Sequence, residues 1–188
     1  VGRTREMAEL AQLLEDPDIR LITLVGPGGI GKTRLALEAG TRLRQQFADG
    51  VCYVSLATVD SDQAMLAAVG HELGLSRLSD VPHREQLSDF LRTRRLLLIL
   101  DSFENLVPAA PVISTLLEDA PGLTILCTSR VHLNLQVEQV FVVGGLTVPQ
   151  PDACQEEIAR ADATHLFVRQ ARRKLPEFTL TKQNARDI

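Results

Sequence analysis

The chain has 188 residues and a formal net charge of −4 at pH 7, and 45% of its residues are hydrophobic. This length and this apolar content suffice for one large domain with its own core, or for one domain and part of another. The negative balance is not the basic footprint of a nucleic-acid-binding domain, and no apolar run is long enough for a membrane-spanning helix.

Five short apolar runs recur along the chain and predict β-strands. They are Leu21–Val25, Val51–Leu56, Leu96–Leu100, Leu123–Cys127 and Val140–Val143. Each run is too short for a helix, and several are almost wholly apolar, as in strands that are buried on both faces of a parallel sheet. We therefore expect the runs to form one parallel sheet.

Apolar residues at helical spacing fill the intervals between these strands. Thr33 to Phe47 predicts one amphipathic helix, and two further apolar stripes run from Met65 to Leu73 and from Val112 to Ala120. Pro121-Gly122 is expected to end the last of them. Strands that alternate with helices imply right-handed crossovers and a parallel sheet covered on both faces, so the predicted fold class is α/β.

The character of the sequence changes after Val143. The stretch from Gly144 to Pro151 is rich in glycine and proline and resists regular structure. Beyond it, apolar residues from Ala159 to Ala171 predict a single amphipathic helix. We therefore expect one domain over residues 1–149, and a linker with the start of a truncated helical subdomain over residues 150–188. Because the chain opens without an initiator Met, we also expect it to be a piece of a larger polypeptide.

The segment between the first predicted strand and the first predicted helix is the most informative. Gly26-Pro27-Gly28-Gly29-Ile30-Gly31-Lys32-Thr33 fits the phosphate-loop pattern G-x-x-x-x-G-K-S/T. Its backbone N–H groups, through Arg34, would cradle phosphate oxygens next to a helix N-terminus. Lys32 would reach the β- and γ-phosphates, and the Thr33 hydroxyl would ligate Mg²⁺. A Gly-rich turn with a solvated lysine is the alternative, and the strand–loop–helix setting favours nucleotide binding.

A second element follows the strand Leu96–Leu100, which ends in Asp101. An acid at this position matches the Walker B pattern and would meet the Mg²⁺ held by Thr33. A buried strand can also end in Asp as a turn residue, but the phosphate loop favours a metal ligand. Glu104 could polarise a water molecule or be a solvated carboxylate at a helix N-terminus, and the residues leave both open.

A third element is Thr128-Ser129-Arg130, at the end of the fourth predicted strand. Ligands of open α/β sheets bind in the crevice at the carboxyl ends of the strands. Arg130 could therefore contact the γ-phosphate and distinguish a nucleoside triphosphate from a diphosphate, or it could be an arginine of an ordinary surface loop. Thr128 and Ser129 could orient the site or cap the turn.

In this order the motifs resemble the NB-ARC/STAND branch of AAA+-related ATPases, as found in bacterial multidomain signalling and transcriptional regulators. The resemblance rests on Val1-Gly2-Arg3 with Glu6, Gly26–Thr33, Leu96–Asp101, Phe103-Glu104-Asn105-Leu106 and Thr128-Ser129-Arg130. It implies a three-layer α/β/α P-loop NTPase with a five-stranded parallel sheet.

The resemblance also implies roles for single residues. Val1 and Arg3, with Gly2 between them, would lie against the adenine. Thr33 and Asp101 would hold Mg²⁺, and Arg130 would be the sensor arginine. The segment from Ala163 to Ala171 would be the first helix of the family's small helical domain, while the Gly-Leu-Pro-Leu-type element of that domain has no counterpart here.

The expected function is an ATP/ADP-binding, Mg²⁺-dependent switch that hydrolyses ATP slowly within a larger regulatory protein. Lys32, Asp101, Glu104 and Arg130 are the candidate catalytic residues. The expected partners are other domains of the parent protein and further copies of it, with no nucleic acid or membrane contact. The three cysteines form no C-x-x-C pair, which favours a cytoplasmic location. A small-molecule kinase and a non-hydrolysing nucleotide-bound interaction module are the alternatives.

Overall fold

The computed structural model describes residues 2–75, 82–150, 153–181 and 184. The chain divides into two compact units, one of residues 7–143 and one that combines residues 1–6 with residues 144–188. Among the described residues, none of the helices combines the length and the apolar character that a membrane span requires.

The larger unit is built on a parallel sheet of five strands in the order β2-β3-β4-β1-β5. The strands are β1 (Leu21–Val25), β2 (Val51–Ser55), β3 (Leu96–Asp101), β4 (Leu123–Ser129) and β5 (Glu138–Val142). Every residue of the inner strands β1 and β3 is buried. The edge strand β2 alternates between buried and more exposed positions, and the edge strand β5 buries only Phe141. The predicted five-stranded parallel sheet is therefore confirmed.

Helices pack on both faces of the sheet. They are α1 (Thr4–Glu15), α2 (Lys32–Leu43), α3 (Asp62–Glu72), α4 (His83–Leu91) and α5 (Ala110–Asp119), with short 3₁₀ helices at Arg44–Gln46 and Phe103–Ala109. The helices α3, α4 and α5 share one apolar core with β3 residues such as Leu98, and α1 and α2 share the other with residues such as Ile99. The three-layer α/β/α architecture is thus confirmed.

The first predicted helix is shorter than expected. It ends at Leu43 and a 3₁₀ turn follows, although Phe47 beyond that turn is still buried in the same core. The helix α1 was not among the predicted elements. It buries only Met7, Leu10 and Leu14, about one residue per turn, which is too narrow a stripe to stand out.

The smaller unit contains two helices where the sequence predicts one. They are α6 (Gln155–Arg160) and α7 (Asp162–Lys174), and Ala161 between them has extended backbone. Thr147 causes the break, because its hydroxyl accepts a hydrogen bond from the Asp162 N–H at 2.9 Å and its carbonyl accepts one from Ala163 N–H at 3.0 Å. The prediction of one continuous helix from Ala159 to Ala171 is wrong.

A buried hydroxyl in β1 leads to a stability prediction. Thr23 is fully buried, and within the described part of the chain its Oγ1 has no hydrogen-bond partner. A buried polar group without a partner costs about 1–3 kcal/mol, and valine has nearly the same shape without the hydroxyl. We expect Thr23→Val to raise the free energy of unfolding by about 1 kcal/mol, measured by urea denaturation.

The matched control is the same change in β4, the strand that pairs with β1 in the sheet. The Thr128 hydroxyl is buried but fully used, since it donates to Asp101 Oδ1 at 2.6 Å and accepts from the Ser102 N–H at 2.9 Å. Thr128→Val is therefore expected to lower the free energy of unfolding by about 1–3 kcal/mol. Equal destabilisation by both changes would show that the Thr23 hydroxyl does have a partner in solution.

Candidate functional site

The loop between β1 and α2 lies at the carboxyl ends of the strands and has a backbone that only glycines adopt readily. Gly29 and Gly31 have φ values of 77° and 99°, in the left-handed region. A Cβ atom on Gly26 would lie 2.7 Å from the Val143 carbonyl oxygen, so no side chain fits there. The loop thus requires glycine at positions 29 and 31 for its backbone conformation, and at position 26 for its close contact with the Val143 carbonyl.

Lys32 begins α2 directly after this loop and is only 8% exposed. Its Nζ donates hydrogen bonds to the carbonyl oxygens of Gly26 at 2.7 Å and Pro27 at 3.0 Å. The ammonium group therefore lies inside the curve of the loop. The N-terminal N–H groups of α2 have no intrahelical acceptors, so they add positive potential at the same place. This arrangement suits a polyanion.

Asp101, the last residue of β3, is the centre of a hydrogen-bond cluster and is 6% exposed. Its Oδ1 accepts from Thr33 Oγ1 at 2.7 Å and from Thr128 Oγ1 at 2.6 Å, and its Oδ2 accepts from the Tyr53 hydroxyl at 3.2 Å. Three hydroxyl groups from three separate elements thus fix the carboxylate. The Thr33 and Asp101 oxygens are close enough to be ligands of one cation.

Tyr53 is the member of this cluster that the sequence analysis missed. It lies in β2 and pairs with Ile99 of β3, which sets its hydroxyl beside Asp101. Burial, and then the negative charge of Asp101, raise the pKa of Tyr53 above its usual value. The phenol therefore remains a donor to the carboxylate. Its signal in the sequence was an aromatic residue in the middle of a strand that pairs with the strand bearing the acid.

Arg130 and Glu104 form an ion pair, with 3.1 Å between Arg130 Nε and Glu104 Oε1. The Arg130 guanidinium also borders the glycine loop, because a Cβ atom on Gly28 would lie 3.5 Å from its Nη2. The Arg130 side chain is 65% exposed, whereas that of Glu104 is 21% exposed. The structure thus brings the arginine to the loop, and it pairs the glutamate with that arginine.

The larger unit thus combines a glycine loop around a buried lysine with a hydroxyl-bound acid and an arginine at one sheet edge. The model of the NB-ARC domain matches residues 3–135. The chain belongs to the NB-ARC family. As an NB-ARC domain it is a nucleotide-binding module with an AAA+-like fold.

The chain is also similar to individual bacterial proteins and to solved structures. Protein Rv0894 of Mycobacterium tuberculosis is 34% identical over 98% of the chain and 44% of its own length. Rv0890c of the same organism, named as a candidate HTH-type transcriptional regulator, is 33% identical over 88% of the chain and 18% of its own length. The ORC2 protein of Aeropyrum pernix, solved as ADPNP–ADP complexes, has a TM-score of 0.58 at 17% identity, over 92% of the chain and 52% of its own. The chain thus spans less than half of these two mycobacterial relatives, and the ORC2 likeness shows the fold alone.

The remaining predicted site residues of the NB-ARC domain are Arg34, Gly2, Arg3 and Val1. Arg34 is exposed on α2, so its backbone alone faces the loop end of the helix. Gly2 and Arg3 belong to the smaller unit, where Arg3 pairs with Glu6 at 3.2 Å and donates to the Gly144 carbonyl at 2.9 Å. Val1 lies outside the described residues. Adenine contact by residues 1–3 stays a prediction.

A cavity of about 830 Å³ lies at the opposite, amino-terminal edge of the sheet and is separate from this site. Its lining includes Arg20, Arg92, Arg94 and Arg95. Two of these arginines serve the fold, because Arg20 donates to the Leu117 carbonyl and Arg94 pairs with Asp49. The glycine loop, Asp101 and Arg130 therefore lie at the other edge of the sheet from this cavity.

Proposed function

We propose that this NB-ARC domain binds ATP and ADP with Mg²⁺ and acts as a nucleotide-dependent switch in a larger regulatory protein. One observation carries the proposal: the Thr33 hydroxyl and the Asp101 carboxylate meet at 2.7 Å directly beside the loop that encloses Lys32. Phosphate and magnesium sites of P-loop proteins combine these groups.

The donor set fits Mg²⁺. The Thr33 and Asp101 oxygens are hard ligands, and Mg²⁺ in nucleotide sites is held by one or two such protein groups together with phosphates and water. Among the described residues there is no cluster of three or more His, Cys, Asp or Glu side chains suited to a metal, which agrees with a cation that arrives with its nucleotide. When bound, Mg²⁺ would neutralise phosphate charge. Thr33 and Asp101 would hold it, and Tyr53 and Thr128 would keep the carboxylate in place.

Lys32 would exchange the loop carbonyls for phosphate oxygens. Its present bonds to Gly26 and Pro27 keep the ammonium group in the loop without an anion. Phosphate oxygens carry more negative charge than carbonyls, so the exchange favours nucleotide binding. The same lysine would contact ATP and ADP through the β-phosphate and would add a γ-phosphate contact in ATP.

Slow hydrolysis is the activity we expect of this site. The residue after Asp101 is Ser102, which has a left-handed backbone with φ 67° and carries no carboxylate. Glu104, the nearby candidate base, accepts from Arg130. Activation of water by Glu104 would therefore compete with this ion pair. A nucleotide-bound state of long lifetime suits a switch better than a high-turnover enzyme.

The parent protein is proposed as the setting of the switch. We propose a nucleotide-binding domain over residues 1–149 and the start of a lid-like helical subdomain over residues 150–188, which α6 and α7 support. The relative named as a candidate HTH-type transcriptional regulator supports a regulatory output. Other domains and further copies of the cytoplasmic parent protein would receive the signal. A ligand shifts a conformational equilibrium only when the two states bind it with different affinity, so the switch requires two states that differ in their affinity for ATP and ADP.

Arg130→Ala tests the proposed discrimination of ATP from ADP. Loss of one charge-assisted contact to the γ-phosphate costs about 1.5–3 kcal/mol, so we expect about a 10- to 100-fold higher Kd for ATP. The Kd for ADP, which lacks that phosphate, is expected to change less than about threefold. Calorimetric titration of wild type and variant with each nucleotide, with and without Mg²⁺, measures all four constants.

The matched control is Arg92→Ala, an exposed arginine that pairs with Asp89 at the other edge of the sheet. It should leave both constants unchanged. An unchanged ratio of ATP to ADP affinity in Arg130→Ala would refute the sensor role of Arg130. Absence of any nucleotide uptake by the wild type would refute the proposed function itself.

A further inference from the structure

The Arg130 guanidinium lies between two sets of groups, the glycine loop and Glu104. Its Nη2 and Cζ border Gly28, and its Nε bonds to Glu104 Oε1. We propose that Glu104 sets nucleotide selectivity, because its carboxylate holds Arg130 in an ion pair that the γ-phosphate must displace. This inference rests on the proposed function and assigns a regulatory partner to its sensor residue.

Both ends of the ion pair extend from rigid positions. Glu104 belongs to the 3₁₀ helix Phe103–Ala109, which Phe103 and Leu106 anchor in the core with exposures of 0% and 1%. Arg130 directly follows Ser129, the buried last residue of β4. The backbone therefore fixes the distance between the two side chains, and only the side-chain torsions of Arg130 have to change.

The γ-phosphate and the Glu104 carboxylate compete because both are anions that need the same guanidinium. An exposed ion pair contributes only about 0.2–1 kcal/mol, so the Glu104 contact is weak enough for a phosphate to replace. The contact is nevertheless lost whenever ATP takes Arg130, and it is retained when ADP is bound. Glu104 therefore lowers ATP affinity and leaves ADP affinity unchanged.

Glu104→Gln and Glu104→Asp together test this competition. The glutamine removes the charge, and the aspartate retains the charge on a side chain about 1.5 Å shorter, which places its oxygens beyond ion-pair distance of Arg130 in its present conformation. We expect both variants to lower the Kd for ATP–Mg²⁺ by about two- to fivefold, with the Kd for ADP–Mg²⁺ unchanged. Calorimetric titration of the whole chain provides the constants, and Glu118→Gln, an exposed acid on α5, is the control.

The aspartate variant separates competition from simple repulsion. If Glu104 only repelled the γ-phosphate, Glu104→Gln would raise ATP affinity and Glu104→Asp would not, and that result would overturn the proposal. The proposal also requires that Glu104→Asp change nothing when combined with Arg130→Ala, because the partner is then absent. A gain that persists in that background refutes it.

The outcome for this inference is separate from that for the proposed function. Wild type that binds no nucleotide contradicts the function. Wild type that binds ATP and ADP, with both Glu104 variants retaining its affinity ratio, contradicts only the role of Glu104. A thermal unfolding curve for each variant, matching that of the wild type, shows that the measured constants belong to folded protein.

Discussion

Lys32→Ala is expected to raise the Kd for ATP by a factor of at least about 100, since charge-assisted contacts to the β- and γ-phosphates are lost and each contributes about 1.5–3 kcal/mol. The Kd for ADP, which loses only the β-phosphate contact, is expected to rise by about 10- to 100-fold. The lysine is the one cation enclosed by the glycine loop in the described part of the chain, with its Nζ 2.7 Å from the Gly26 carbonyl. Both nucleotides should be affected because each carries the β-phosphate, and the effect should be larger for ATP, which also has the γ-phosphate. Calorimetric titration in the presence of Mg²⁺ measures it.

Arg42→Ala is the matched control for Lys32→Ala. Arg42 lies in the last turn of the same helix, is exposed, and pairs with Glu38 at 2.9 Å. The Arg42→Ala variant should bind both nucleotides with the affinity of the wild type. Retention of ATP affinity within about threefold in Lys32→Ala would mean that the loop does not cradle phosphate, and the assignment of the site would fail.

The strands could be predicted because each contains a short run of apolar residues. A central parallel strand such as β3 packs against helices on both faces, so Leu96 to Leu100 are all apolar and need no partner to be recognised. The glycine loop was predictable for a related reason. Gly29 and Gly31 adopt backbone conformations that other residues rarely adopt, so the positions of the glycines predict the conformation of the loop.

Elements whose form depends on distant contacts were not predictable. The break between α6 and α7 depends on Thr147, which precedes both helices and binds the N-terminus of the second one. The helical spacing from Ala159 onward continues through the break, so periodicity alone indicates one helix. Similarly, the apolar stripe of α1 is too narrow to predict a helix from the sequence, and its burial is evident only from the packing of α1 against the sheet.

The candidate site shows the same division between local and distant contacts. Lys32, Thr33 and Asp101 were recognisable because each lies in a short sequence motif that predicts its role. Tyr53 was not, since its hydroxyl meets Asp101 only through the parallel pairing of β2 with β3. The pairing of Glu104 with Arg130 likewise joins residues on two different strand ends, and both had plausible roles as separate surface charges.

Asp101→Asn is the second change with a large expected effect, and it addresses the cation. The carboxamide keeps the size of the side chain and one oxygen acceptor, but it carries no charge to bind Mg²⁺. We expect the gain in ATP affinity that Mg²⁺ gives the wild type to disappear, with a loss of about tenfold or more at saturating Mg²⁺. Affinity for ATP in the absence of Mg²⁺ should be at least as high as in the wild type, because a negative charge near the phosphates is removed.

The comparison of titrations with and without Mg²⁺ separates a metal role from a structural one. Asp101 accepts hydrogen bonds from Thr33, Thr128 and Tyr53, so weaker hydroxyl contacts in Asp101→Asn would reduce stability and lower affinity in both conditions alike. A metal role instead removes only the difference between the two conditions. Asp89→Asn, an exposed acid paired with Arg92, should keep that difference. If Asp101→Asn keeps it as well, the cation is held elsewhere and the carboxylate serves to position the three hydroxyl groups.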